Sequence, residues 1–133
     1  MPHLQELRTL LRDEPAPAGS VLLGRGGPNT LDSLRSDARR TARRFCLNSK
    51  PLPGISVSAA IDTPVDMLCA QPPLARFASV YTPTIADLRA FPVIPTFGRP
   101  HFIVCLWLAD DAELNMLLTA LGPLRTNPGA LER

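Results

Sequence analysis

The sequence predicts an α+β fold: a single small domain with a mixed sheet of about five short strands, packed by three or four helices. Three observations carry this. The chain has 133 residues, the size of one domain with one core. Its apolar residues repeat at helical spacing in some segments and alternate strictly in others. Its 15 prolines cluster between those segments: Pro51 and Pro53, Pro64, Pro72 and Pro73, Pro92 and Pro95, Pro100.

Taken in order, residues 2–13 predict an amphipathic helix, with Leu4, Leu7, Leu10 and Leu11 at helical spacing. DEPAPAGS breaks it. Val21 to Leu23 predict a short strand that ends at a tight turn, Gly24-Arg25-Gly26-Gly27. Asn29 or Thr30 caps the next helix, about 30–46. On a helical projection its Leu31, Leu34, Ala38, Ala42 and Phe45 share a narrow arc, and its five clustered arginines lie outside that arc. Ile55 to Ile61 alternate, with Ile55, Val57, Ala59 and Ile61 on one face and Ser56, Ser58 and Ala60 on the other.

Short helices are expected at 64–70 and 84–90, and strands at 77–81 and at Val93–Ile94, the latter confined to an edge by its prolines. HFIVCLWL, residues 101–108, is apolar on both faces and predicts an interior strand covered on both sides. Asp110 and Glu113 form a capping box for a helix that ends at Gly122-Pro123. The domain is expected to span 1–125, followed by a loose tail over 126–133.

The charge is +2, too small to imply a polyanion partner by itself, but it is unevenly placed. Arg35, Arg39, Arg40, Arg43 and Arg44 fall within ten residues of one helix. Such a face suits a nucleic acid or an acidic protein partner, and equally a solvated surface. Cys46, Cys69 and Cys105 are far apart and form no metal-binding pattern, so no metal is expected. The N-terminus has no apolar signal core, and the longest apolar run is too short to span a bilayer. A soluble, cytoplasmic protein is the expectation, with no membrane partner and with self-assembly open.

Candidate ligand contacts follow from the same pattern. Arg25 sits among glycines that allow close approach, and it could grip a phosphate bidentately. Gly26 belongs to the same stretch. Ser56 and Ser58 share a strand face, and His101 opens the apolar strand. No nucleophile elbow or Gly-rich phosphate-loop motif is present, and no catalytic residue is assigned.

SVLLGRGG, a helix, PLPGISVSAA and RPHFIVCL, in that order, resemble the layout of the ADP-ribosyltransferase-like fold. The resemblance covers about residues 19–108. It implies nucleotide handling by a toxin- or defence-type bacterial protein, with NAD as ligand. Arg25 would match the family's dinucleotide-holding arginine, and Ser56 or Ser58 its hydroxyl position. The family's late acidic residue has no counterpart, because no glutamate lies between Glu14 and Glu113. The competing expectation is a binding module that acts through the arginine face, or an assembly subunit.

Overall fold

A computed structural model describes residues 19–47, 50–61, 63–96 and 101–130. The expected helix over 2–13 lies outside these residues. The described chain is an α+β domain. Its strands are β1 (Leu23–Gly27), β2 (Cys46–Leu47), β3 (Lys50–Pro51), β4 (Gly54–Ala59), β5 (Ser79–Tyr81), β6 (Val93–Pro95), β7 (His101–Cys105) and β8 (Leu124–Thr126). Its helices are α1 (Leu31–Arg44), α2 (Val65–Cys69) and α3 (Asp111–Ala120), with single 3-10 turns at Leu74–Arg76 and Ala86–Leu88.

Six strands form one sheet in the order β6-β7-β4-β1-β5-β8, and β2 pairs with β3 apart from it. All pairings are antiparallel, so the expected mixed sheet is corrected to an antiparallel one. Antiparallel order needs no crossover helix between neighbouring strands, and the irregular run of short elements between strands fits that.

The alternation read in Ile55–Ala59 sets the layers. Leu23, Ile55, Val57, Ala59, Tyr81, Phe102, Val104 and Leu106 join Leu34 and Ala38 of α1 and Leu114 and Leu117 of α3 in the main core. On the other face, Ile103 and Cys105 pack with Phe45 and Leu52. Val80 packs there with Leu68, Cys69 and Leu74. So β7 is buried on both sides, as its apolar run predicts.

Three expectations fail for local reasons. The glycine stretch is strand rather than turn. A Cβ on Gly26 would meet the Phe77 ring at 2.3 Å, and one on Gly24 would meet Leu74 at 2.6 Å. These glycines serve close packing. The apolar run 101–108 ends as strand at Cys105, and Trp107 and Leu108 are 73% and 77% exposed. Glu113 explains this. Its carboxylate accepts from the backbone N–H groups of Trp107, Leu108 and Ala109, pinning a loop in which Ala109 takes φ 55. Glu113 therefore clamps the preceding loop, while Asp110 caps the helix by accepting from the Glu113 N–H.

The third failure is the tail. Thr126 pairs with Ser79, and Asn127 is buried. Its amide donates to the carbonyls of Cys69, Leu74 and Phe77 and ties the chain end to α2 and the turn after it. Order thus runs past the expected boundary at 125.

Candidate functional site

The site begins where two strands part. The Ala60 N–H donates to Leu22, then Leu23 stands opposite Ala59 and Gly24 opposite Ser58. The next bonded pair in this register would be Gly26 with Ser56. The pairing of β1 with β4 stops before it, and β1 continues alongside β5. Backbone groups left in such a gap need other partners. Side chains supply them. The Ser56 N–H donates to Asp37 Oδ2 at 3.1 Å, and the Ser56 carbonyl accepts from Arg25 Nη1 at 2.8 Å. The Gly26 carbonyl accepts from the Asn29 amide at 2.7 Å.

These side chains also hold one another. Arg25 Nη1 lies 2.7 Å from Asp37 Oδ2, and Arg25 Nε donates to Asn29 Oδ1 at 2.8 Å. The pair is nearly buried, with side-chain exposures of 12% and 8%. Arg25 thus carries a structural duty that the sequence reading did not give it. Its Nη2 makes no hydrogen bond among the described residues.

The gap opens into a cleft of about 470 Å³. Arg25, Gly26, Ser56, Ser58 and His101, all singled out from sequence, line it together. Ser58 stands directly opposite His101 in the β4–β7 register. One wall is the Ser33, Asp37, Arg40, Arg44 stripe of α1. These recur at i, i+4, i+7 and i+11, which is one helical face. The opposite wall is Pro73, Leu74, Arg76 and Phe77. There the Arg76 guanidinium lies 5.2 Å from the centre of the Phe77 ring. Four arginines against one aspartate make the cleft electropositive.

The five helix arginines do not act together. Arg40 and Arg44 turn into the cleft. Arg35 pairs with Asp32 at 2.8 Å and with Asp111, joining α1 to α3. Arg39 and Arg43 are exposed and make no ion pair among the described residues.

His101 bonds through Nδ1 to the Thr96 hydroxyl at 2.7 Å. Burial, and then the Arg44 guanidinium, hold its imidazole below the ordinary value, with Asp37 opposing. The ring is therefore neutral at pH 7, able to donate or accept one hydrogen bond. Cys69 and Cys105 are free buried thiols, and burial pushes Cys105 up to about 12. Such thiols are unreactive at neutral pH. Among the described residues no group of three His, Cys, Asp or Glu could hold a metal ion. No helix among them is long and apolar enough to cross a membrane.

Asp37, Asn29, Arg76 and Phe77 were missed as site residues. Asp37 had a signal. It projects about 60° from Leu34 on the helical wheel, at the border of the apolar arc. Arg76 and Phe77 had none, because only the tertiary fold brings them over Gly26. Comparisons of the chain with protein-family models, with curated proteins and with solved structures find no match.

Proposed function

We propose that the protein binds a phosphate-bearing nucleotide, NAD being the first to test, in the cleft between β1 and β4. The observation that carries this is the lining: four arginines face one carboxylate, and that carboxylate is already engaged by Arg25 and Ser56. An anion entering the cleft would meet a positive field with little opposing charge. Arg40 and Arg44, one helical turn apart, are the phosphate contacts. Arg25 is a positioning residue that keeps the gap in shape. Ser56 and Ser58 offer hydroxyls along the floor, and the Arg76–Phe77 stack offers a flat edge for a ring. Group transfer is not part of this reading, since Asp37 is held by the ion pair. A cytoplasmic setting accompanies it, because nucleotides and reduced thiols coexist there.

The test is a thermal melt of wild type, Arg40→Ala/Arg44→Ala and Arg39→Ala/Arg43→Ala, with millimolar NAD, ADP or inorganic pyrophosphate. At 100 times its dissociation constant a ligand adds about 2.7 kcal/mol. The shift is expected in wild type and in the Arg39/Arg43 variant, and not in the Arg40/Arg44 variant. No shift with any of the three ligands in wild type would sink the reading.

Arg39 and Arg43, exposed and without an ion pair among the described residues, favour one second reading, an outer surface for nucleic acid or an acidic protein. There, affinity for a DNA or RNA oligonucleotide falls steeply with salt, and Arg39→Ala/Arg43→Ala weakens it.

A further inference from the structure

Thr96, His101 and Ser58 follow one another across the sheet. Thr96 continues β6 beyond Pro95, which pairs with Phe102, and its N–H donates to the His101 carbonyl at 3.3 Å. Ser58 faces His101 from the other side. The Thr96 hydroxyl makes two contacts, to the His101 carbonyl at 2.9 Å and to His101 Nδ1 at 2.7 Å. A carbonyl oxygen only accepts, so the single hydroxyl proton goes to it. Thr96 Oγ1 must then accept from Nδ1, and Nδ1 carries the ring proton. In the neutral imidazole this leaves Nε2 as a lone pair, an acceptor. Nε2 makes no hydrogen bond among the described residues.

Ser58 adds an independent observation. It is 6% exposed and lines the cleft, yet its hydroxyl makes no hydrogen bond among the described residues. A hydroxyl this buried ordinarily has a partner. Other acceptors of the cleft are already engaged. Asp37 Oδ2 accepts from Arg25 and from the Ser56 N–H, and Asn29 Oδ1 accepts from Arg25. The remaining charged side chains, Arg40, Arg44 and Arg76, carry donors only. A bare phosphate suits those donors, but its oxygens would oppose the lone pair of Nε2. A ligand hydroxyl suits it. Arg44 acts electrostatically on the same imidazole, so a phosphate on Arg44 and a hydroxyl on Nε2 fall within the span of one nucleotide.

We propose that the cleft selects a phosphate ester bearing a free sugar hydroxyl, which donates to His101 Nε2 beside the Ser58 hydroxyl while Arg40 and Arg44 hold the phosphate. Thr96 is the positioning residue that fixes the tautomer. This inference rests on the phosphate reading of the cleft and adds the ligand class to it: ribonucleotides are favoured over polyphosphates and over nucleotides whose sugar lacks hydroxyls.

The experiment has two readouts on the full chain at pH 8, where the ring is neutral. Imidazole nitrogen NMR of the free protein should show His101 protonated at Nδ1, and Thr96→Val should move the population towards Nε2–H. Calorimetric titration should then find ADP bound about tenfold more tightly than 2′,3′-dideoxy-ADP, the worth of one hydrogen bond. His101→Phe should erase that difference and leave the affinity for the dideoxy ligand unchanged. Thr96→Val should shrink the difference. An Nε2–H tautomer in the wild type would overturn the proposal outright. Equal affinity for ADP and the dideoxy ligand, or binding of pyrophosphate as tight as that of ADP, would overturn it while the phosphate reading stands. No binding of any of the three would overturn both.

Discussion

Removing the Arg25 side chain would take from Asp37 its 2.7 Å partner and from the Ser56 carbonyl its donor. A buried ion that loses its partner costs more than the pair contributes when intact, about 3–5 kcal/mol. Arg25→Ala should therefore lower unfolding free energy by that order, read from the urea midpoint at constant slope. Asp37→Asn should cost less, because an amide oxygen still accepts from Ser56 and Arg25. An Arg25→Ala protein as stable as wild type would mean that the pair does not hold the strands' parting. This also governs how ligand experiments are designed. A lost ligand shift in Arg25→Ala could report a collapsed gap, whereas Arg40 and Arg44 are exposed, and Arg40 reaches Asp37 Oδ1 only at 3.6 Å, against 2.7 Å for Arg25.

At the scale of elements, β1 is where composition misled. Four residues, Gly24-Arg25-Gly26-Gly27, read as a turn because glycine most often marks one. In the fold they are strand because three other segments need to lie on them. Phe77 covers Gly26, Leu74 covers Gly24, and Tyr81 with Leu124 covers Gly27. Those partners lie 50 to 97 residues away in sequence, so no local pattern could show them. The helix α1 was far more legible. Its cap, its apolar arc and the exposure of its arginines were all readable, because one wheel holds that information. The wheel also sets Arg40 and Arg44 on an edge with Asp37, away from Arg39 and Arg43; what it hides is that this edge faces a cleft. The glycine explanation is testable. Gly26→Ala places a methyl inside the Phe77 ring contact and should cost about 1–3 kcal/mol. Combined with Phe77→Ala, the cost should be markedly less than the sum, with a coupling of at least about 1 kcal/mol by double-mutant cycle. Strict additivity would show that Phe77 is not what keeps position 26 free of a side chain.

For the molecule as a whole, fold class was legible and strand pairing was not. Periodicity reports which face of a strand is buried but is silent on its neighbours, so an antiparallel sheet and a mixed one look alike. The same limit hid Asn127, a polar residue in an unpatterned tail whose three bonds to distant carbonyls exist only in the fold. His101 links this global order to pH. It stands across from Ser58, bonds Thr96 and lines the cleft. Its folded value is below the ordinary 6.5, so below that pH the unfolded chain binds more protons than the folded one. The stability that His101 contributes is complete above 6.5 and is lost as pH falls through the depressed folded value. Tm should therefore drop between pH 7 and 5 in wild type and drop less in His101→Gln. Asp87 does not confuse the window, because its carboxyl is held below 3.8 by its bonds to Thr84. His3 is common to both proteins and cancels in the comparison. A polyphosphate bound in the cleft would add negative charge beside the ring and oppose that shift. It should raise the His101 value and flatten the acid limb of the curve. Parallel curves for wild type and His101→Gln would place the imidazole outside the folding equilibrium. An acid limb that ligand leaves unchanged, at a concentration that shifts Tm at pH 7, would place the bound anion away from His101.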